Sequence, residues 1–303
     1  MDINYKIEKI MKKIFAILAL FALTLTVSAQ QRKAPVKKTA GATARKAAAK
    51  AAGDNVLTIN VGGTKFNMIK VQGGTFKMGC DPNAVKEAYF QEGPVHQVTL
   101  STYYIAETEV TQELWSVIMG NHDNLHDGFI ADNKPIHNVT YAQVQEFIKG
   151  LNMVKSDYEF RLPTEAEWEF AARGGVKSKG MKYSGSNDIK AVGWNKDTCG
   201  DDFSDSSAPN WGLHAVKTKA PNELGLYDMT GNVREWTADV FGQYEAAAQT
   251  NPKGPAADDD PGYVVRGGGW DEEADKCRVT YREGYWSTGY SHDTGFRLAF
   301  TKK

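Results

Sequence analysis

The sequence predicts one domain of mixed strands and helices whose second half carries little regular structure. Three observations predict it. Extended stretches punctuated by glycine run to about residue 110, three capped helical stretches lie between Thr111 and Gly174, and the next hundred or so residues are crowded with Gly, Pro, Asn, Asp and Trp. Residues 54–303 are enough to bury one large core, aromatic residues at 11% of the chain give that core bulk, and no second linker or repeat divides it.

The chain opens with Lys12 and Lys13, the apolar run "IFAILALFALTLTV" and small residues ending at Ala29. A cationic flank, a short apolar stretch and a small-residue boundary predict a secretory signal peptide over 1–29, with an uncleaved interfacial anchor as the competing reading. The run is shorter than the roughly 17–25 residues a bilayer span needs. The mature protein is therefore expected to be exported, periplasmic or extracellular, and not integral to the membrane. Residues 30–54 hold seven Lys or Arg and no acid before Asp54, which predicts a basic disordered linker ahead of a domain over 55–303. From residue 54 onward 25 basic side chains face 35 acidic ones. An acidic body argues against a nucleic-acid groove in the domain.

"VLTINV" and "FNMIKV" alternate apolar and polar residues around Gly62 and Gly63, as a hairpin does, and "GGTFKMG" and "HQVTLSTYYIAETEV" continue in extended character. Thr111 precedes Leu114, Trp115, Ile118 and Met119 at helical spacing. Thr140 with Gln143, and Thr164 with Glu167, are capping boxes in which hydroxyl and carboxamide or carboxylate satisfy orphan backbone donors; Gly174 ends the last helix. Short strands return at "GYVVRGGGW" and "TGFRLAF", the second with Phe296, Leu298 and Phe300 on one face. The loop-rich second half after Gly175 must be fixed by buried tryptophans, side-chain hydrogen bonds to backbone, or metal.

The phrases "GGTFKMG", "EVTQELW", "RLPTEAEWEFAARGG", "PNELGLYDMTGNVREW", "RGGGW" and "GFRLA" occur in order between residues 68 and 300. Together they resemble the formylglycine-generating enzyme family, the sulfatase-modifying factor domain. The resemblance implies an α+β fold of C-type-lectin-like type, one domain poor in regular secondary structure. It also implies calcium. In "DMTGNVRE", Asp228, the carbonyls of Gly231 and Val233, and Glu235 match the family's ligands, and hard oxygen donors of this kind suit that ion. A metal-free turn with Asp228 and Glu235 capping amides is the alternative. A second family calcium site would begin at Asn210 and the carbonyl of Trp211, but the stretch supplying its other ligands is shortened here.

The family's oxidase uses two cysteines five apart, a cuprous thiolate pair that oxidises a substrate cysteine with oxygen. Cys277 matches the second; Glu272 stands at the first. A carboxylate is a hard ligand and forms no disulfide. The resemblance also places Gly269 where the family has serine, Asp293 where it has asparagine and Arg234 where it has tryptophan. Copper and its oxidation chemistry are accordingly not expected. Cys277 itself keeps three open roles: a lone reactive thiol, a disulfide partner of Cys80 or Cys199, or a buried structural side chain.

Asp271, Glu272, Glu273 and Asp275 read as a solvated loop rather than a cation site. His96, His137, His214 and His292 show no H-x-x-x-H spacing, which disfavours a histidine-based iron or zinc centre. Trp168, Trp194, Trp236 and Trp270 read as core fillers. Two functions follow as expectations. One is an exported, calcium-stabilised module that binds an envelope protein, peptide or glycan. The other is an oxygen-using enzyme of the family with altered chemistry at Cys277, Glu272 and Asp293.

Overall fold

The computed structural model describes residues 55–302 apart from 84, 122–124, 126, 200–209, 258–261 and 290. The expected signal peptide and linker lie outside the described residues.

The hairpin forms as the glycines require. β1 (Val56–Val61) and β2 (Thr64–Val71) pair antiparallel with Val61 opposite Thr64, and the turn between them has φ of 58° at Gly62 and 101° at Gly63. Positive φ at both turn residues gives the tight connection whose twist matches the strands. β3 (Gly74–Met78), β4 (His96–Leu100) and the short β8 (Gln249–Thr250) make a three-stranded sheet. A five-stranded sheet runs β1, β2, β5 (Tyr103–Ala106), β12 (Ala299–Phe300) and β6 (Phe160–Arg161). The third sheet runs β10 (Arg282–Trp286), β9 (Gly262–Arg266), β7 (Arg234–Val240) and β11 (Thr294–Phe296). Pairing is antiparallel except for β11 on β7 and β8 on β4.

The three helices fall where the caps place them. In α1 (Gln112–Met119) the Thr111 hydroxyl accepts from the Leu114 N–H; α2 (Tyr141–Val154) and α3 (Glu165–Ala172) each carry the complete capping box. α2 buries Val144, Phe147, Ile148 and Leu151 against the core, each such side chain contributing about 1.5–3 kcal/mol. All eight residues of α3 are buried, three glutamates among them. Among the described residues after 175, α-helix is limited to single turns, α4 (Ile189–Val192) and α5 (Lys196–Cys199).

"TGFRLAF" differs from the single strand expected. Its first half, β11, joins the four-stranded sheet, and its second half, β12, joins the five-stranded one. Phe296, Leu298 and Phe300 still enter one core, while Arg297, fully buried, turns to a carboxylate. The segment thus ties two sheets together through that core.

Five arginine–carboxylate pairs hold the irregular half, and the sequence reading missed them. Arg266 meets Glu169, Arg278 meets Glu92 at 2.5 Å, Arg282 meets Glu165 at 2.6 Å, Arg297 meets Glu235 at 2.6 Å, and Arg234 meets Asp293 at 2.7 Å. Trp168, Trp236 and Trp270 are core fillers as read, each at most 1% exposed. Trp194 is only half-buried and stacks on His214 with ring centroids 3.5 Å apart.

Candidate functional site

The family resemblance points to the loop after β9. Gly267 and Gly268 hold φ of 94° and 71° and swing the chain from the sheet into a tight approach to Cys277 and Asp293. A Cβ on Gly268 would stand 2.5 Å from Cys277 Sγ, and one on Gly269 would stand 2.2 Å from Asp293 Oδ2. Trp270 then packs edge-on against Phe129, Trp211 and His292. A short 3₁₀ turn, Ala274–Cys277, ends with the thiol pointing inward.

Cys277 is fully buried, and its thiol donates to the Gly269 carbonyl at 4.0 Å. Burial, then the charge of Glu272, pushes the thiol well above its ordinary range, so it stays protonated and unreactive. Cys80, Cys199 and Cys277 are all free, so neither disulfide considered for Cys277 is formed. Cys199 is buried too, and burial pushes it up to about 12. Of the three roles open to Cys277, the geometry supports the buried structural one.

The four departures around it compensate one another. Asp293 is 1% exposed, and its Oδ1 accepts from the Arg234 guanidinium at 2.7 Å. Burial opposes ionisation of Asp293, but the Arg234 charge outweighs it and holds the carboxyl below the usual carboxylate range. Arg234 also reaches Glu283 at 3.2 Å and lies 3.9 Å from Glu272. Glu272 in turn accepts from Lys276 at 2.7 Å, one helical turn along. The missing side chain at Gly269 leaves the room that Asp293 Oδ2 fills. Where the family's pattern implies a thiolate pair and a polar pocket, this chain has a half-buried to buried ionic network.

The acidic stretch is not merely solvated, as the sequence suggested. Asp271 meets His292 at 2.7 Å, Glu273 meets Lys196 at 2.7 Å and Asp275 accepts from the Tyr89 hydroxyl at 2.8 Å.

A second cluster surrounds the residues expected to hold calcium. Asp228 is 3% exposed with φ of 56°, and its Oδ2 accepts from the Lys217 N–H. Gly231 is required by contact as well as by its φ of 72°, because a Cβ there would meet the Trp194 carbonyl at 1.9 Å. Val233 is fully buried. Glu235 takes two hydrogen bonds from Arg297, both 2.6 Å, and one from the Trp168 indole at 2.7 Å. Sequence reasoning gave Glu109 no role, although it lies in the "EVTQELW" phrase. It is 2% exposed, Oε1 accepts from Asn232 at 3.1 Å, and Oε2 has no partner among the described residues. Burial, then the charge of Asp228, pushes Glu109 well above the carboxylate range, and burial pushes Asp228 up to about 6. Three buried carboxylates here face one buried arginine. That surplus of negative charge and the orphaned Glu109 oxygen fit a hard divalent cation; Glu235, already claimed by Arg297, is the least available donor. Asn210, expected at a second calcium site, is exposed with its carbonyl 3.0 Å from His214 Nε2, and residues 200–209 beside it lie outside the described residues.

Residues 60–302 match the family described as sulfatase-modifying factor enzyme 1-like domain. The chain is 28% identical over 278 residues to "Chaperone protein LppX" of Paenibacillus barcinonensis, covering 78% of this chain and 90% of that protein. It is 28% identical over 291 residues to "Inactive C-alpha-formylglycine-generating enzyme 2" of Bos taurus, covering 78% and 89%. Among solved structures, Treponema denticola variable protein 1 superposes with a TM-score of 0.68 at 31% identity, covering 81% of this chain and 98% of that one.

Proposed function

Because the chain belongs to the sulfatase-modifying factor family, we propose that it is a member in which a buried ionic network has replaced the oxidising thiol pair. It acts as a binding or assembly module at the cell envelope. The observation that carries this reading is the position of Glu272. It stands where the family's first cysteine would be, bound to Lys276 at 2.7 Å, beside a Cys277 thiol that burial keeps protonated. One protonated thiol and one carboxylate do not provide the soft pair a cuprous ion requires. The similarity to an inactive formylglycine-generating enzyme and to a chaperone protein supports the same reading. The alternative, altered oxygen chemistry at Cys277, Glu272 and Asp293, is weaker because Cys277 is packed out of reach of solvent and Glu272 is paired with Lys276, while Arg234 holds one oxygen of Asp293.

Calcium belongs to the proposal as a structural ion. Asp228 and Glu109, with the carbonyls of Gly231 and Val233, would hold it, and its charge would neutralise the carboxylate surplus around Arg297. The leader over 1–29 would export the chain, and the basic segment over 30–54 would tether the domain near an anionic envelope surface. An envelope protein, peptide or glycan is the expected partner.

The test is incubation of the mature protein with a cysteine-containing sulfatase peptide, copper and oxygen, followed by mass spectrometry of the peptide. The proposal expects the cysteine to remain intact. Conversion to formylglycine above a protein-free control would refute it.

A further inference from the structure

We propose that Asp271, His292 and Asp293 form a binding site for a divalent cation of borderline softness, for which zinc is the probe. One donor atom from each residue lies within 4.8 Å of the other two. Bonds of about 2.0–2.2 Å to a single ion would gather them after small side-chain rotations. Those rotations are available on the open side, since the side chains of His292 and Asp271 are 40% and 25% exposed.

Proximity of acids alone would not justify a site. The second observation is unsatisfied oxygen. Asp293 is 1% exposed, and its Oδ2 has no hydrogen-bond partner among the described residues; the buried Oδ1 of Asp271 has none either. Buried carboxylate oxygens are costly to leave bare, and elsewhere in this core Glu165, Glu169 and Glu235 have both oxygens engaged. The charge count points the same way. Asp271, Glu272, Glu283 and Asp293 face Arg234 and Lys276, which leaves the equivalent of two negative charges unmatched when His292 is neutral.

Arg234 then has a positioning role. It holds Oδ1 of Asp293 and is itself balanced by Glu283, so it orients Asp293 without using Oδ2. Trp270 packs edge-on against the His292 ring, with centroids 5.5 Å apart, and steadies it. Supports of this kind are how proteins aim metal-binding side chains. Two carboxylates with one imidazole favour zinc and its neighbours over calcium, which takes oxygen alone. Three protein donors also leave a tetrahedral ion one position for water or a partner's ligand. The sequence reading disfavoured a histidine-based centre for want of regular spacing; here the donors come from two loops 21 residues apart.

The mature protein, saturated with calcium to fill any hard-cation site, is titrated with Zn²⁺ by calorimetry and with Co²⁺ by visible absorption. One equivalent of Zn²⁺ should bind, and Co²⁺ should give the intense bands of a low-coordinate ion. His292→Ala and Asp271→Asn, both at partly exposed positions, should each weaken binding by about tenfold or more, on the scale that disturbing a metal site costs. Glu273→Gln, outside the triad, should leave it unchanged. Circular dichroism confirms that each variant is folded. Absence of a zinc isotherm, or equal binding by folded His292→Ala, would overturn the proposal.

Discussion

Two ionic regions of this molecule are built from the same residue types to opposite specifications. Around α3 and β11, Glu165, Glu169 and Glu235 give every carboxylate oxygen a donor, drawn from Arg282, Arg266, Arg297, backbone N–H, a tyrosine and a tryptophan. In the loop pocket, Arg234 and Lys276 engage only part of the acid set, and Asp271 Oδ1 and Asp293 Oδ2 have no hydrogen-bond partner among the described residues. Saturated pairs fix the backbone where ladders are sparse. Unsaturated ones leave donor capacity for something from outside. The difference separates what this chain keeps as scaffold from what it has rebuilt.

The largest expected effect breaks the scaffold. Arg266→Ala removes the donor to Glu169 Oε2 in a fully buried site, where Arg173 still holds Oε1, and should cost about 3–5 kcal/mol in urea unfolding. Arg234→Ala, in the pocket, should cost less, about 1–3 kcal/mol, because the region borders solvent. Adding Asp293→Asn to it should restore most of that loss, and a double-mutant cycle reads the coupling directly. Equal costs for the two arginines would erase the distinction between the regions.

Asp239 departs from the scaffold's rule in another way, and it sharpens the contrast. Asp239 lies 3% exposed at the N-terminus of α3, accepting from the Glu165 N–H at 2.8 Å, with no cation paired to it among the described residues. Burial, then the charge of Glu165, pushes it up to about 7. A carboxyl raised in the folded state binds its proton more tightly there than in the unfolded chain, whose value is about 3.9. Its penalty is therefore absent below about pH 4, grows as pH rises to about 7, and is constant above. Asp239→Asn should raise the melting temperature at pH 8 and change it little at pH 4.

The smallest effect concerns the thiols. Alkylation of the native protein with iodoacetamide should label the partly exposed Cys80 and leave Cys199 and Cys277 untouched, and Cys277→Ser should not alter any binding activity. Rapid labelling of Cys277 in the folded state would reopen its reactive role.

Much of the first half was legible in the sequence because its signals are local. The Thr111, Thr140 and Thr164 caps, the Gly62–Gly63 turn and the apolar face of α2 each declare themselves within a few residues. The family phrases located the pocket and its substitutions. The pairings stayed hidden, because Arg282 lies 117 residues from Glu165 and Arg266 lies 97 from Glu169, distances at which spacing carries no register. For the same reason Arg234, Gly269 and Asp293 read as three separate losses. Only their positions show that the glycine makes room for the aspartate and the arginine neutralises it. Glu109 lies within the "EVTQELW" phrase, yet nothing in its neighbours announces a buried carboxylate.

The replacement of the thiol pair is tested most directly by anaerobic titration of the mature protein with cuprous ion against a chromophoric chelator. The account predicts that the chelator keeps the copper and that Cys277→Ser behaves as the wild type does. Stoichiometric capture of copper by the wild type, abolished by Cys277→Ser, would contradict it.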